Sequence, residues 1–195
     1  MHPQCFTLAY GGMTEQRRGI TLIGMPGCGK STVGALLAER LGLGFLDTDA
    51  VIEARSGRSL QRIVDEEGAA RLRAIEEDVL VHTDAHARVV ATGGSAVYAD
   101  AAMRHLASAS TIVYLEVGLE ELHRRVADWA TRGLVRAPGQ GVAELFAERT
   151  RLYRRHAGVR IPCDGLTPAD VVERVVAALL SRGDNAGERT AASTP

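Results

Sequence analysis

Residues Gly24 to Thr32 read GMPGCGKST. Gly24 to Ser31 fits G-x-x-x-x-G-K-[ST], a loop whose chemistry is the holding of phosphate. Glycines let the backbone turn tightly and aim its N–H groups at anionic oxygen. A helix that starts where the loop ends adds the positive end of its dipole. On this pattern Gly24, Gly27, Cys28, Gly29, Lys30, Ser31 and Thr32 cradle the phosphates of a nucleoside triphosphate. The Lys30 ammonium reaches the β- and γ-phosphates, and the Ser31 hydroxyl is placed to ligate Mg²⁺. Cys28 stands at a variable position of the motif and reads as small-residue filler rather than as a redox group.

Further residues along the chain have types suited to a second ligand. Asp47 and Asp49 flank Thr48 at the end of a short apolar run, "GFLD". If that run is a strand of a parallel sheet, its carboxyl end is where ligands sit. The competing reading is that Asp49 or Thr48 caps the next helix, although neither has Glu or Gln three residues on. Arg73 has Glu76 and Glu77 at i+3 and i+4, so a surface ion pair is the default there. Arg149 differs: its i±3 and i±4 neighbours are Leu145, Phe146, Leu152 and Tyr153. An arginine within an apolar stripe either snorkels to the surface or meets an anion brought from elsewhere. Gly93 and Gly94 end another apolar run and let backbone approach a ligand closely. Ser95 follows them; it is strained if that position needs φ > 0 and otherwise offers a hydroxyl contact.

The elements that must carry these residues alternate. "GITLIG", "GFLD", "RVVAT", "TIVYLEV" and "VRIPC" read as five strands. "STVGALLAERLG" is a helix with Val33, Leu36, Leu37 and Leu41 on one face and Gly42 as its stop. "ARLRAIEEDVLVH" is a helix with Leu72, Ile75, Val79 and Leu80 in register, and "VAELFAERTRLYRRH" is another. "PADVVERVVAALLS" closes the series with Val171, Val172, Val175, Val176, Leu179 and Leu180 on one stripe. This alternation predicts an α/β fold: a five-stranded parallel sheet covered on both faces, in three α/β/α layers.

Taken in order, the phosphate loop, "FLDTD", the stretch from Val51 to Leu80, "VVATGGSAVY" and "ERTRLYRRHA" resemble the shikimate kinase family over roughly Ile20 to Leu180. The resemblance implies a P-loop kinase fold, like that of nucleoside-monophosphate kinases, with a mobile lid. It implies that Asp47 lies near Mg²⁺, through water or through Ser31. It implies that Asp49 hydrogen-bonds the substrate hydroxyls and orients or deprotonates the attacking one. Arg73 and Arg149 match the two arginines that grip the substrate carboxylate, a task suited to their planar forks of donors; Glu76 would then steady Arg73. Gly93, Gly94 and Ser95 fall on the family's three substrate-site glycines.

The chain departs from that pattern in places. Leu72 stands where an aromatic is usual, Ser95 where the third glycine is usual, and Arg151 where a proline is usual. The lid segment, "ADWATRGLVRAPGQGV", lacks the family's R-P-L-L. Its Gly, Ala and Pro138 suit a loop that closes over substrate, with Arg132 and Arg136 as candidates for the charge that reaches the transferring phosphoryl group. Trp129 at its base reads as packing.

Composition agrees with one domain. The chain has 195 residues, 46% of them hydrophobic, and a formal net charge of −1. Such a charge offers no bulk attraction to nucleic acid or anionic membrane. No apolar run approaches the roughly 18 residues of a bilayer span. Cys5, Cys28 and Cys163 are too few and too scattered for a disulfide framework or metal cluster; reduced thiols in the cytoplasm are expected. His82, His86, His105 and His123 read as solvent-facing. Residues 1–18 and 183–195 are expected to be disordered, around a kinase domain at 19–182 with its lid at about 128–141; Met13 is an alternative start. The functional expectation is an ATP- and Mg²⁺-dependent, monomeric kinase that phosphorylates shikimate. The alternatives are a kinase of the same fold for homoserine or another hydroxy acid, and a nucleotide-binding module without transferase activity.

Overall fold

The computed structural model describes residues 18–126 and 139–191. The described chain runs β1 (Gly19–Ile23), α1 (Lys30–Leu41), β2 (Gly44–Asp47), α2 (Thr48–Ser56), α3 (Leu60–Glu67), α4 (Ala69–Val81) and β3 (Arg88–Ala91). A 3-10 turn at Ala96–Tyr98 leads into α5 (Asp100–Ala109), β4 (Ser110–Glu116), α6 (Leu119–Arg125), α7 (Val142–His156), β5 (Val159–Pro162) and α8 (Pro168–Ala191). The five strands form one parallel sheet in the order β2-β3-β1-β4-β5. This is the expected three-layer α/β/α architecture.

The order explains where a ligand can sit. The chain goes from β1 out to β2, returns to β3, and then crosses β1 to reach β4. Connections therefore leave β1 toward opposite sides, and the resulting crevice opens at the strands' carboxyl ends. All five residues of β1 are buried, as a central strand with helices on both faces requires. α1 and α8 pack on each other over one face, while α5 covers β1 and β4 with α4 beside it. The central core is β-branched and aliphatic: Leu22, Ile23, Val89, Val90, Val113 and Leu115 are all essentially inaccessible. A smaller cluster of Ile52, Ile63, Leu72 and Val79 joins α2, α3 and α4. That satellite core holds the start of α2, and Asp49 with it, beside the sheet.

Two residues leave the stripes expected of them, and Leu180 on α8 is one, at 40% exposed. Leu36 does not share the buried stripe of α1; it is 39% exposed. Gly34 and Ala38 take that face with Val33 and Leu37. A Cβ on Gly34 would come within 2.7 Å of the Phe45 ring, so the helix lies too close to β2 for a larger residue. The stretch between Thr48 and Glu67, quoted above only as a motif, forms two helices. Asp47 caps the first and Ser59 the second.

The edges of the domain also differ from expectation. Arg18 is anchored, its Nη2 donating to the carbonyls of Ala107 (2.9 Å) and Ser110 (3.0 Å). α8 continues to Ala191, into the stretch whose composition points to disorder. Among the described residues no helix is long and apolar enough to cross a membrane.

Candidate active site

The phosphate loop lies between β1 and α1, as its motif requires. Gly29 is the N-cap of α1 at φ 100°, a left-handed conformation that disfavours any side chain. Lys30 opens the helix and is buried. Its ammonium donates to the carbonyls of Gly24 (2.8 Å) and Met25 (3.0 Å), which fold it over the loop. Ser31 and Thr32 are exposed in the first turn beside it. The Cys28 side chain is buried, and its amide donates to Met25 O (3.1 Å). Cys28 thus packs the inside of the loop, as filler does.

The end of β2 and the start of α2 bring up two carboxylates. Asp47, not Thr48 or Asp49, caps α2: its Oδ1 accepts from the amides of Asp49 (3.0 Å) and Ala50 (3.4 Å). Thr48 Oγ1 accepts from the Gly93 amide (3.2 Å), which ties the ends of β2 and β3 together and turns that amide away from any ligand. Asp49 is left for other work. Its Oδ1 is buried and accepts no hydrogen bond within the protein. Burial pushes its carboxyl up to about 6; Lys30 opposes the rise, while Asp47 and Glu53 add to it.

Glu76 reaches the same place from α4. It is 5% exposed and accepts a short hydrogen bond from the Ser95 hydroxyl. Burial pushes its carboxyl up to about 7; the Ser95 hydroxyl opposes the shift, Asp49 adds to it, and Arg149 and Arg73 oppose it. Ser95 sits at φ −93°, so it is unstrained where the family's third glycine is expected. Its hydroxyl serves Glu76, and among the described residues no ion pair joins Glu76 to Arg73; Arg73 acts on it only from a distance. Gly93 is the floor beneath both acids. A Cβ there would lie 2.3 Å from Glu76 Oε1 and 2.7 Å from Asp49 Oδ1.

The two arginines meet on one ring. Arg149 is 1% exposed on α7, and its guanidinium lies 5.5 Å from the centre of the Tyr98 ring. The exposed Arg73, on α4, brings its guanidinium to 5.0 Å from that centre. Tyr153, wholly buried, stacks on Tyr114 at 5.1 Å and donates to the Gly94 carbonyl (2.7 Å). It bolts α7, and so Arg149, to the end of β3.

These groups share one cleft of about 340 Å³. Gly27, Gly29, Lys30, Ser31 and Thr32 form one side. Asp49, Glu76, Gly94, Ser95 and Arg149 face them. Arg73 lines an adjoining hollow of about 170 Å³ that shares Glu76 and Ser95. Gly24, Cys28, Asp47 and Gly93 stand behind the walls as supports. Arg132, Arg136 and Trp129 lie outside the described residues. The cleft can therefore hold phosphates against a carboxylate acceptor of hydroxyl protons, with guanidinium charge at its far end. Glu76 lines the cleft itself rather than only steadying Arg73, and Tyr98 and Tyr153 brace it with no chemical pattern of their own in the sequence. Their one available signal was closeness to the "GGS" and "ERTRLY" segments.

Comparison with known proteins identifies the family. A family model described as shikimate kinase matches residues 26–180. Shikimate kinase of Mycobacterium avium is 42% identical over 161 residues, covering 81% of this chain and 91% of that protein. The enzyme of Rhodococcus jostii is 37% identical over 81% of this chain and 95% of its own length. Among solved structures, shikimate kinase from Acinetobacter baumannii in complex with shikimate superposes with a TM-score of 0.78 and 32% identity. It covers 86% of this chain and 96% of that one. With a match that takes in the phosphate loop from Pro26 onward and every residue between it and α8, the chain belongs to the shikimate kinase family.

Proposed function

We propose that this protein transfers the γ-phosphoryl group of ATP to a hydroxyl of shikimate, giving shikimate 3-phosphate for aromatic amino-acid synthesis. One observation carries the reading: the phosphate loop and the buried, unsatisfied Asp49 Oδ1 open onto the same cleft, with Arg149 beside them. A buried carboxylate oxygen without a donor is a costly feature unless a ligand supplies the hydrogen bond. A hydroxyl of a small acid supplies it, and the acid's own carboxylate meets the guanidinium charge of Arg149 and Arg73.

In this mechanism Lys30 exchanges its loop carbonyls for β- and γ-phosphate oxygens. The amides of Gly27 and of Gly29 to Thr32 surround the remaining phosphate charge. Asp49 accepts the acceptor's hydroxyl hydrogen bond and takes its proton as the phosphoryl group arrives in line. With its carboxyl at about 6, Asp49 is mostly ionised at neutral pH and still basic enough for that task. Arg132 or Arg136 adds charge over the transferring group. Mg²⁺, when bound, neutralises charge on the β- and γ-oxygens. Its hard-oxygen preference suits the exposed hydroxyl of Ser31 and the carboxylate of Asp47. The cap on α2 takes up Asp47 Oδ1, so its part toward the ion would fall to the other oxygen, through water or through Ser31. A monomeric, cytoplasmic enzyme completes the proposal, and size-exclusion chromatography with cell fractionation examines both points.

The deciding assay couples ADP release to NADH oxidation, with ATP, Mg²⁺ and a panel of shikimate, homoserine and other small hydroxy acids. Turnover that depends on shikimate supports the reading. Faster turnover with another acid, or none across the panel, overturns it.

A further inference from the structure

Tyr98 holds a place that the phosphoryl-transfer reading does not use. It ends the 3-10 turn after Ser95, and both acceptor-side guanidiniums lie over its ring, at 5.0 Å for Arg73 and 5.5 Å for Arg149. Its hydroxyl donates to Glu148 Oε1 (2.9 Å), and the other Glu148 oxygen accepts from Gln140 Nε2 (2.6 Å). Glu148 directly precedes Arg149 on α7, so one tyrosine touches the guanidinium of one residue and the carboxylate of the next.

Two guanidiniums gathered at one half-buried spot repel each other. The electron-rich face of an aromatic ring attracts both. It does so without the fork-to-fork pairing a carboxylate would form, which would consume the N–H edges that a ligand needs. Glu148 keeps its negative charge one residue away, where the hydroxyl of Tyr98 and the amide of Gln140 hold its carboxyl below the usual range. Compensation for the arginines therefore comes from the side, through the Tyr98 ring and the Glu148 carboxylate that its hydroxyl holds.

We propose that Tyr98 is the positioning residue for the acceptor's carboxylate, its ring setting the spacing of Arg73 and Arg149 while its bond to Glu148 fixes the ring. This rests on the acceptor reading given above. A tyrosine in this role acts on binding of the charged end of the acceptor and leaves the nucleotide side untouched.

The test is steady-state kinetics of wild type, Tyr98→Phe and Tyr98→Leu with saturating ATP, using shikimate and the same compound with its carboxylate converted to a carboxamide. Tyr98→Leu should raise the KM for shikimate about tenfold, with kcat and the KM for ATP little changed. Tyr98→Phe keeps the ring and should restore KM to within about threefold of wild type. With the carboxamide, which lacks the charge the arginines grip, wild type and Tyr98→Leu should share one KM. A Leu variant within twofold of wild type on shikimate overturns the proposal, as does an equal loss on both acceptors, which marks general damage to the fold. If Tyr98→Leu does not fold, Tyr98→Phe decides alone: a rise in KM as large as tenfold shows that the ring is not the operative part. Should wild type phosphorylate a different acid, the shikimate reading falls, and the same comparison runs on that acid and its amide.

Discussion

Gly93→Ala separates geometry from stability at this site. Gly93 does not occupy the left-handed region, so its backbone accepts alanine without strain. The added methyl is a different matter, because it would stand 2.3 Å from Glu76 Oε1 and 2.7 Å from Asp49 Oδ1. Ordinary contact begins at about 3.4 Å, so the first oxygen must retreat by roughly 1 Å and the second by somewhat less. Both atoms are ends of side chains, so the cost to folding stays near the low end of overpacking, about 1 kcal/mol. Glu76 is not free to swing, since Ser95 holds its other oxygen. The displacement therefore falls on Asp49 as well. A shift approaching 1 Å in a positioning group costs catalysis up to about a hundredfold. The expected result is a loss of that order in kcat/KM for shikimate in the ADP-release assay. The melting temperature should fall by only a few degrees, and ATP-analogue binding by calorimetry should match wild type. A folded variant with kcat/KM within threefold of wild type would refute the claim that Asp49 and Glu76 act from the positions seen here.

Three further variants test the same cleft. Asp49→Asn should lose turnover about a hundredfold or more while ATP still binds; loss of nucleotide binding instead contradicts the role assigned to Asp49. Burial raises the Asp49 carboxyl from 3.8 to about 6, so its contribution to stability is full below pH 4 and is lost as pH rises through 6. Asn cannot ionise, so Asp49→Asn should melt above wild type at pH 8 and converge with it near pH 4. Ser95→Gly removes the hydroxyl that restrains the rise of Glu76, whose carboxyl should then climb above about 7. The acid limb of the kcat/KM profile should move to higher pH, and an unmoved limb contradicts the coupling. Arg149→Lys keeps the charge but loses the planar fork, so the KM for shikimate should rise about tenfold while that for ATP holds; equal rises in both would contradict carboxylate binding.

The parts of this site that could be read from the chain are the local ones. The phosphate loop is contiguous, and its strand and helix announce themselves by periodicity, so Lys30 and Ser31 stand where the motif puts them. Arg149 was legible because its helical neighbours are apolar, and it is indeed buried. Apolar periodicity misplaced Leu36, because close approach of α1 to β2 selects Gly34 and Ala38 and leaves the larger residue outside. The cap of α2 is neither Thr48 nor Asp49 but Asp47, whose extended backbone (φ −104°, ψ 117°) suits an N-cap; this releases Asp49 for the cleft.

By itself the amino-acid sequence determined the donor half of the site, the alternation that makes a parallel α/β sheet, and the types of residue that face an acceptor. Those features depend on neighbours within a turn or a strand. Only the tertiary structure decided that Glu76 answers to Ser95, that Asp49 and Glu76 share the floor at Gly93, and that Arg73 and Arg149 meet on Tyr98. These contacts join α4, α7 and the end of β3, which are remote in sequence. They exist because the sheet order brings those elements to one crevice, and no local pattern encodes a distance across it.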